Sequence, residues 1–129
     1  MWKRKPIDHK LVLVTDDDSD AREALATLLV AAGYSVLEAD NGKRALELLM
    51  QDGSHFPRVI LLDLAMPVMD GYKFLEMRAA DPILSHIPVI VISGNSRAAE
   101  PLDAVNTFLR KPVDVERLLA VIRAVRPTA

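Results

Sequence analysis

The chain contains no cysteine. That excludes disulfides, thiolate metal sites and cysteine nucleophiles. Aromatic residues are few, at 5%, and no apolar run approaches the ~18 residues needed to cross a bilayer. There is also little charge of one sign. Sixteen basic and 18 acidic residues leave a net charge of −2, which removes the electrostatic case for binding nucleic acid. Lys3-Arg4-Lys5 is basic, but no apolar stretch follows before Asp16-Asp17-Asp18, so the N-terminus does not read as a signal peptide. The expectation is a soluble, cytoplasmic protein with no membrane or nucleic-acid partner.

What is present is globular: half of the 129 residues are hydrophobic and 26% are charged, enough for one core. The expected layout is an N-terminal extension over 1–9, one domain over 10–126 and a tail over 127–129. Short apolar runs alternate with helical periods. Leu11-Val12-Leu13-Val14 reads as a buried strand. In the helix after it, Ala21, Ala24, Leu25, Leu28, Leu29 and Ala32 form one apolar face, with Asp18 or Ser19 as cap and Gly33 as stop. Tyr34 to Ala39 is a second strand, and Ala45, Leu46, Leu49 and Met50 mark a second helix. Arg58 to Leu62 is a third strand, followed by a helix from Asp70 to Ala80. Ile87 to Ile92 is a fourth strand. Pro101 permits only a short or irregular fourth helix between Asn95 and Val105. Asn106 to Arg110 is a fifth strand. Asp114 caps a last helix with Val115, Leu118, Leu119, Ile122 and Val125 inward.

This alternation predicts an α/β fold: a five-stranded parallel sheet with helices on both faces and strand order 2-1-3-4-5. Functional groups in such sheets gather beyond the carboxyl ends of the strands. Asp16 and Asp17 follow the first strand, Asp63 ends the third, Ser93 follows the fourth and Lys111 the fifth. All five belong at one edge. Three carboxylates crowded there repel one another, and a divalent cation relieves that. With only oxygen ligands offered, the ion is a hard one, and Mg²⁺ fits. Asp63 then suits a nucleophile forming an acyl phosphate. Lys111 and Ser93 suit the phosphoryl oxygens, and Gly94 leaves the approach open. Each residue also has a plainer reading: the aspartates as helix caps, Ser93 as a turn residue, Lys111 as a surface lysine. His9, His55 and His86 read as solvated.

Thr15-Asp16-Asp17-Asp18, the run from Leu62 to Gly71 with its Asp-x-x-Met-Pro-x-Met-Asp-Gly pattern, Ser93-Gly94 and Lys111-Pro112 resemble the receiver (response regulator) domain of two-component signalling, whose fold is flavodoxin-like. The resemblance covers about Leu11 to Val125. It implies that Asp63 is the phosphoacceptor, and that Asp16, Asp17, Asp63 and the carbonyl of Ala65 hold Mg²⁺. It implies a conformational switch through Ser93 and Phe108, and a cis Lys111–Pro112 bond. It implies a sensor histidine kinase or histidine phosphotransfer protein as donor. No output domain is expected in the few residues that follow the last helix. The expected output is contact with a downstream protein, homodimer formation or phosphoryl relay, without enzyme activity beyond self-phosphorylation and autodephosphorylation. Competing readings are a receiver-like scaffold that works without phosphate, a haloacid-dehalogenase-type phosphatase using Asp16-x-Asp18, and an FMN carrier. The last lacks a phosphate-cradling loop.

Overall fold

A computed structural model describes residues 5–51, 55–64, 66, 68–94 and 107–127. In chain order these residues form β1 (Ile7–Thr15), α1 (Ser19–Ala31), β2 (Ser35–Ala39), α2 (Gly42–Met50), β3 (Phe56–Leu62), α3 (Gly71–Ala80), a 3-10 turn (Leu84–His86), β4 (Val89–Ser93), β5 (Thr107–Arg110) and α4 (Val115–Ala124). The strands make one five-stranded sheet in the order β2-β1-β3-β4-β5, and every pairing is parallel. The expected strand order and fold class are therefore observed. The expected irregular helix between Asn95 and Val105 lies outside the described residues.

The two central strands β3 and β4 are buried along their whole length, as continuous apolar runs covered on both faces must be. On one face, Val12, Val14, Val59, Leu61, Ile90 and Ile92 pack with Leu29 of α1 and with Leu118 and Ile122 of α4. On the other, Leu13, Ile60, Leu62, Val89 and Val91 pack with Ala45, Leu46 and Leu49 of α2 and Phe74 of α3. Alternate residues of each strand feed opposite layers, as the period-two pleat requires.

The helix caps follow from sequence. Asp18 accepts hydrogen bonds from the amides of Asp20 and Ala21, Asn41 from Arg44, Asp70 from Lys73, and Asp114 from Glu116 and Arg117. Such a cap contributes about 1 kcal/mol. Gly33, at φ +100, ends α1 in the left-handed region that a side chain disfavours.

Four local expectations are corrected. β1 starts at Ile7, not Leu11, so Ile7, Asp8 and His9 of the expected extension belong to the sheet; Ile7 pairs with Phe56 and Asp8 with Pro57. The polar Asp8-His9-Lys10 stretch hides this strand because it is partly exposed. Second, α1 is rolled: Leu29 is buried, but Ala24 and Ala32 are exposed and Leu28 is 42% exposed. Arg22 lies on the inward stripe instead. Third, Leu48 of α2 is buried and Met50 is 51% exposed, because the helix ends at Met50 and its Leu48 side joins the layer shared with α3. Fourth, β4 begins at Val89, after the 3-10 turn that occupies part of the preceding link.

Candidate functional site

Three main-chain hydrogen bonds carry the sheet one residue past its strands at the carboxyl edge. The amide of Asp16 donates to the carbonyl of Ala39 on β2 (3.1 Å), that of Asp63 to Thr15 on β1 (2.9 Å), and that of Lys111 to Ser93 on β4 (3.1 Å). The backbones of two acids and the lysine are thus fixed by neighbouring strands before their side chains are considered. This is why three distant parts of the chain meet at one place.

The side chains converge. The Lys111 ammonium donates to Oδ2 of Asp16 at 3.1 Å and to Oδ2 of Asp63 at 3.3 Å. Oδ1 of Asp16 accepts the Asp18 amide at 3.0 Å. Carboxylate oxygens of Asp16, Asp17 and Asp63 all lie within 4.8 Å of one another. Asp16 is buried, Asp63 half-buried and Asp17 exposed at the rim. Burial alone pulls the Lys111 pKa down, but the Asp16 hydrogen bond and the charges of Asp16 and Asp63 outweigh it and hold the lysine above its ordinary 10.5. Its ion pairs are therefore fully present below that value and are lost only as pH rises through the higher folded value.

The donor set fits a hard divalent cation. It consists of carboxylate oxygen alone, and among the described residues none of the three histidines joins it. Three carboxylates and one ammonium leave two negative charges, the complement of a doubly charged ion.

Ser93 is buried at the end of β4, in register with Arg110 and so one residue from Lys111. Gly94 lies along the stem of Lys111; a Cβ there would sit 3.9 Å from the lysine Cβ. The Lys111–Pro112 bond is cis. Phe108 is half-buried against the α2/α3 layer, in register with Val91. Ala65 lies outside the described residues.

The loop from Asp63 to α3 is shaped by two close approaches. The Gly71 amide donates to the Leu64 carbonyl at 2.8 Å, and a Cβ on Gly71 would meet the Asp63 carbonyl oxygen at 2.6 Å. The Gly42 amide at the start of α2 donates to the Met69 carbonyl at 3.0 Å. Between them, Val68 has φ 66 and is 81% exposed, a conformation that costs a β-branched residue about 1–2 kcal/mol.

Asp18 caps α1 and is not in the acidic group. The Asp16-x-Asp18 pair of the phosphatase reading is therefore not assembled. Sequence reasoning misses Arg22, whose guanidinium reaches the Asp16 carbonyl at 2.8 Å. The available signal was a charged residue on an otherwise apolar helical stripe, where burial of charge calls for a partner.

Comparison with known proteins places this geometry in context. Residues 12–123 match the model of the response regulator receiver domain. Protein PilH of Pseudomonas aeruginosa is 31% identical over 118 residues, covering 88% of this chain and 95% of that protein. The sensor histidine kinase CheAY of Helicobacter pylori is 31% identical over 125 residues, covering 94% of this chain but only 15% of that protein. The crystal structure of a response regulator receiver protein from Pseudomonas putida superposes with TM-score 0.79 at 28% identity, covering 95% of this chain and 99% of that one.

Proposed function

This chain belongs to the response regulator receiver family, and from that premise we propose that it is a phosphorylation switch whose acceptor is Asp63. The observation that carries the reading is the Lys111 ammonium bridging Asp16 and Asp63, with the Asp17 carboxylate within 4.8 Å.

Asp16, Asp17 and Asp63, with the Ala65 carbonyl, would hold Mg²⁺, which when bound would neutralise charge on the phosphoryl oxygens. A carboxylate oxygen of Asp63 attacks the phosphorus of a phosphohistidine on a sensor histidine kinase or phosphotransfer protein. A P–O bond forms, the P–N bond breaks and the imidazole leaves with the nitrogen's electron pair, taking up a proton. Lys111 faces the transferred oxygens as a fixed positive charge, and Ser93 donates a hydrogen bond to one of them. Movement of Ser93 toward the phosphoryl group then draws on the half-buried Phe108, giving two conformations that phosphate weights differently. The chemistry is confined to the protein's own phosphorylation and dephosphorylation. The output is contact with a downstream protein or a second copy. Among the described residues no helix is long and apolar enough to cross a membrane.

The test is intact-mass spectrometry after incubation with acetyl phosphate and Mg²⁺. One phosphoryl group is expected, absent in Asp63→Asn and absent when Mg²⁺ is chelated. A wild-type mass that never changes would sink the reading.

A further inference from the structure

Asp17 is the exposed member of the acid trio, so its aim depends on the main chain beneath it. That main chain is pinned at three points. The Asp16 amide is held by the Ala39 carbonyl, and the Asp18 amide is held by Oδ1 of Asp16. The third point is the carbonyl of the peptide joining Asp16 to Asp17. It accepts a hydrogen bond from Nη1 of Arg22 at 2.8 Å. Nε of the same guanidinium meets Oε1 of Glu38 on β2 at 3.2 Å, with the arginine side chain only 17% exposed. Glu38 is in register with Val14 of β1. One planar fork thus ties α1, β2 and the turn after β1. A lysine cannot reproduce this fork, because its donors spring from a single nitrogen.

Resting on the Mg²⁺-dependent reading above, we propose that Arg22 is a positioning residue for the cation site. It clamps the Asp16–Asp17 peptide and so directs both carboxylates. Glu38 has two parts in this. It orients the guanidinium, and its charge offsets that of Arg22, which would otherwise repel a cation nearby. The sign of the effect separates this role from simple electrostatics. Removing a positive charge beside a metal site should tighten cation binding, whereas removing a clamp should weaken it. Groups that orient ligands from outside the ligand shell typically govern metal affinity by about tenfold or more.

The experiment is calorimetric titration of the unphosphorylated full chain with Mg²⁺. The double substitution Arg22→Met, Glu38→Gln removes the fork while leaving local charge balanced. It should weaken Mg²⁺ binding by about tenfold. Affinity equal to or tighter than that of the wild type overturns the proposal. Should that variant not fold, NMR titration of the wild type decides. The Arg22 Nε–H and the Asp17 amide should shift with a common Mg²⁺ midpoint, and an Arg22 signal indifferent to Mg²⁺ overturns the proposal. Asp17→Asn is the control for the premise. It should lose Mg²⁺ binding; if it binds like the wild type, the cation site itself is wrong, not merely the role of Arg22.

Discussion

In the turn after β1, side chains do the holding: Asp16 accepts the Asp18 amide, Asp18 accepts those of Asp20 and Ala21, and Arg22 grips the Asp16 carbonyl. In the turn after β3, the main chain does it: Gly71 bonds Leu64 and Gly42 bonds Met69, with room made by missing side chains. Both turns present acids to one site, yet they should respond differently to substitution. A turn held by side-chain oxygen loses one bond at a time. A turn held by close packing of main chain fails as a unit when an atom is added.

Gly71→Ala should break the second turn most severely. Its methyl would lie 2.6 Å from both the Asp63 carbonyl oxygen and the Leu64 Cα, so backbone must move. We expect a loss of about 3 kcal/mol or more, read by urea unfolding, together with failure to accept phosphate. Wild-type stability would show that the glycine is not required for space.

Three smaller effects sharpen the contrast. The Thr15 hydroxyl, on the strand end leading into the first turn, is buried and has no hydrogen-bond partner among the described residues. Thr15→Val keeps the shape and should raise stability by about 1 kcal/mol, seen as a higher urea midpoint; a lower midpoint would reveal a partner for that oxygen. Asp18→Ala removes one cap and should cost about 1 kcal/mol, with phosphoryl uptake retained. Complete loss of uptake would make Asp18 part of the site. Val68→Asn relieves a left-handed β-branched residue at an exposed position and should gain about 0.5 kcal/mol by thermal unfolding. A destabilised variant would mean that the valine side chain makes contacts worth more than its strain.

The positions of Asp16, Asp17, Asp63, Ser93 and Lys111 are legible in sequence because a parallel sheet puts every strand's carboxyl end on one edge. Apolar runs reveal where those ends fall. The caps Asp18, Asp70 and Asp114 are legible because capping is local. The roll of α1 is not. Leu25, Leu28 and Leu29 all satisfy helical periodicity, and only the sheet it lands on decides that Leu29 is buried and Leu28 is not. The buried arginines Arg58 and Arg78 are equally hidden, since their acceptors are main-chain carbonyls that carry no sequence signature. Arg78 donates to the Ile87 and Ser85 carbonyls, and its burial lowers its pKa.

Arg58 stands at the other end of the strand that leads to Asp63. Its guanidinium donates to the carbonyls of Ile122, Arg123 and Val125, which lie 64, 65 and 67 residues away in sequence. Carbonyls in and just after the final turn of α4, which helix geometry leaves without intrahelical donors, are therefore served from the middle of the sheet. The last helix is thus a latch closed on the hub of the sheet. Prising that latch open would strand a positive charge in an apolar interior, so fraying at the chain's end should be felt at its centre.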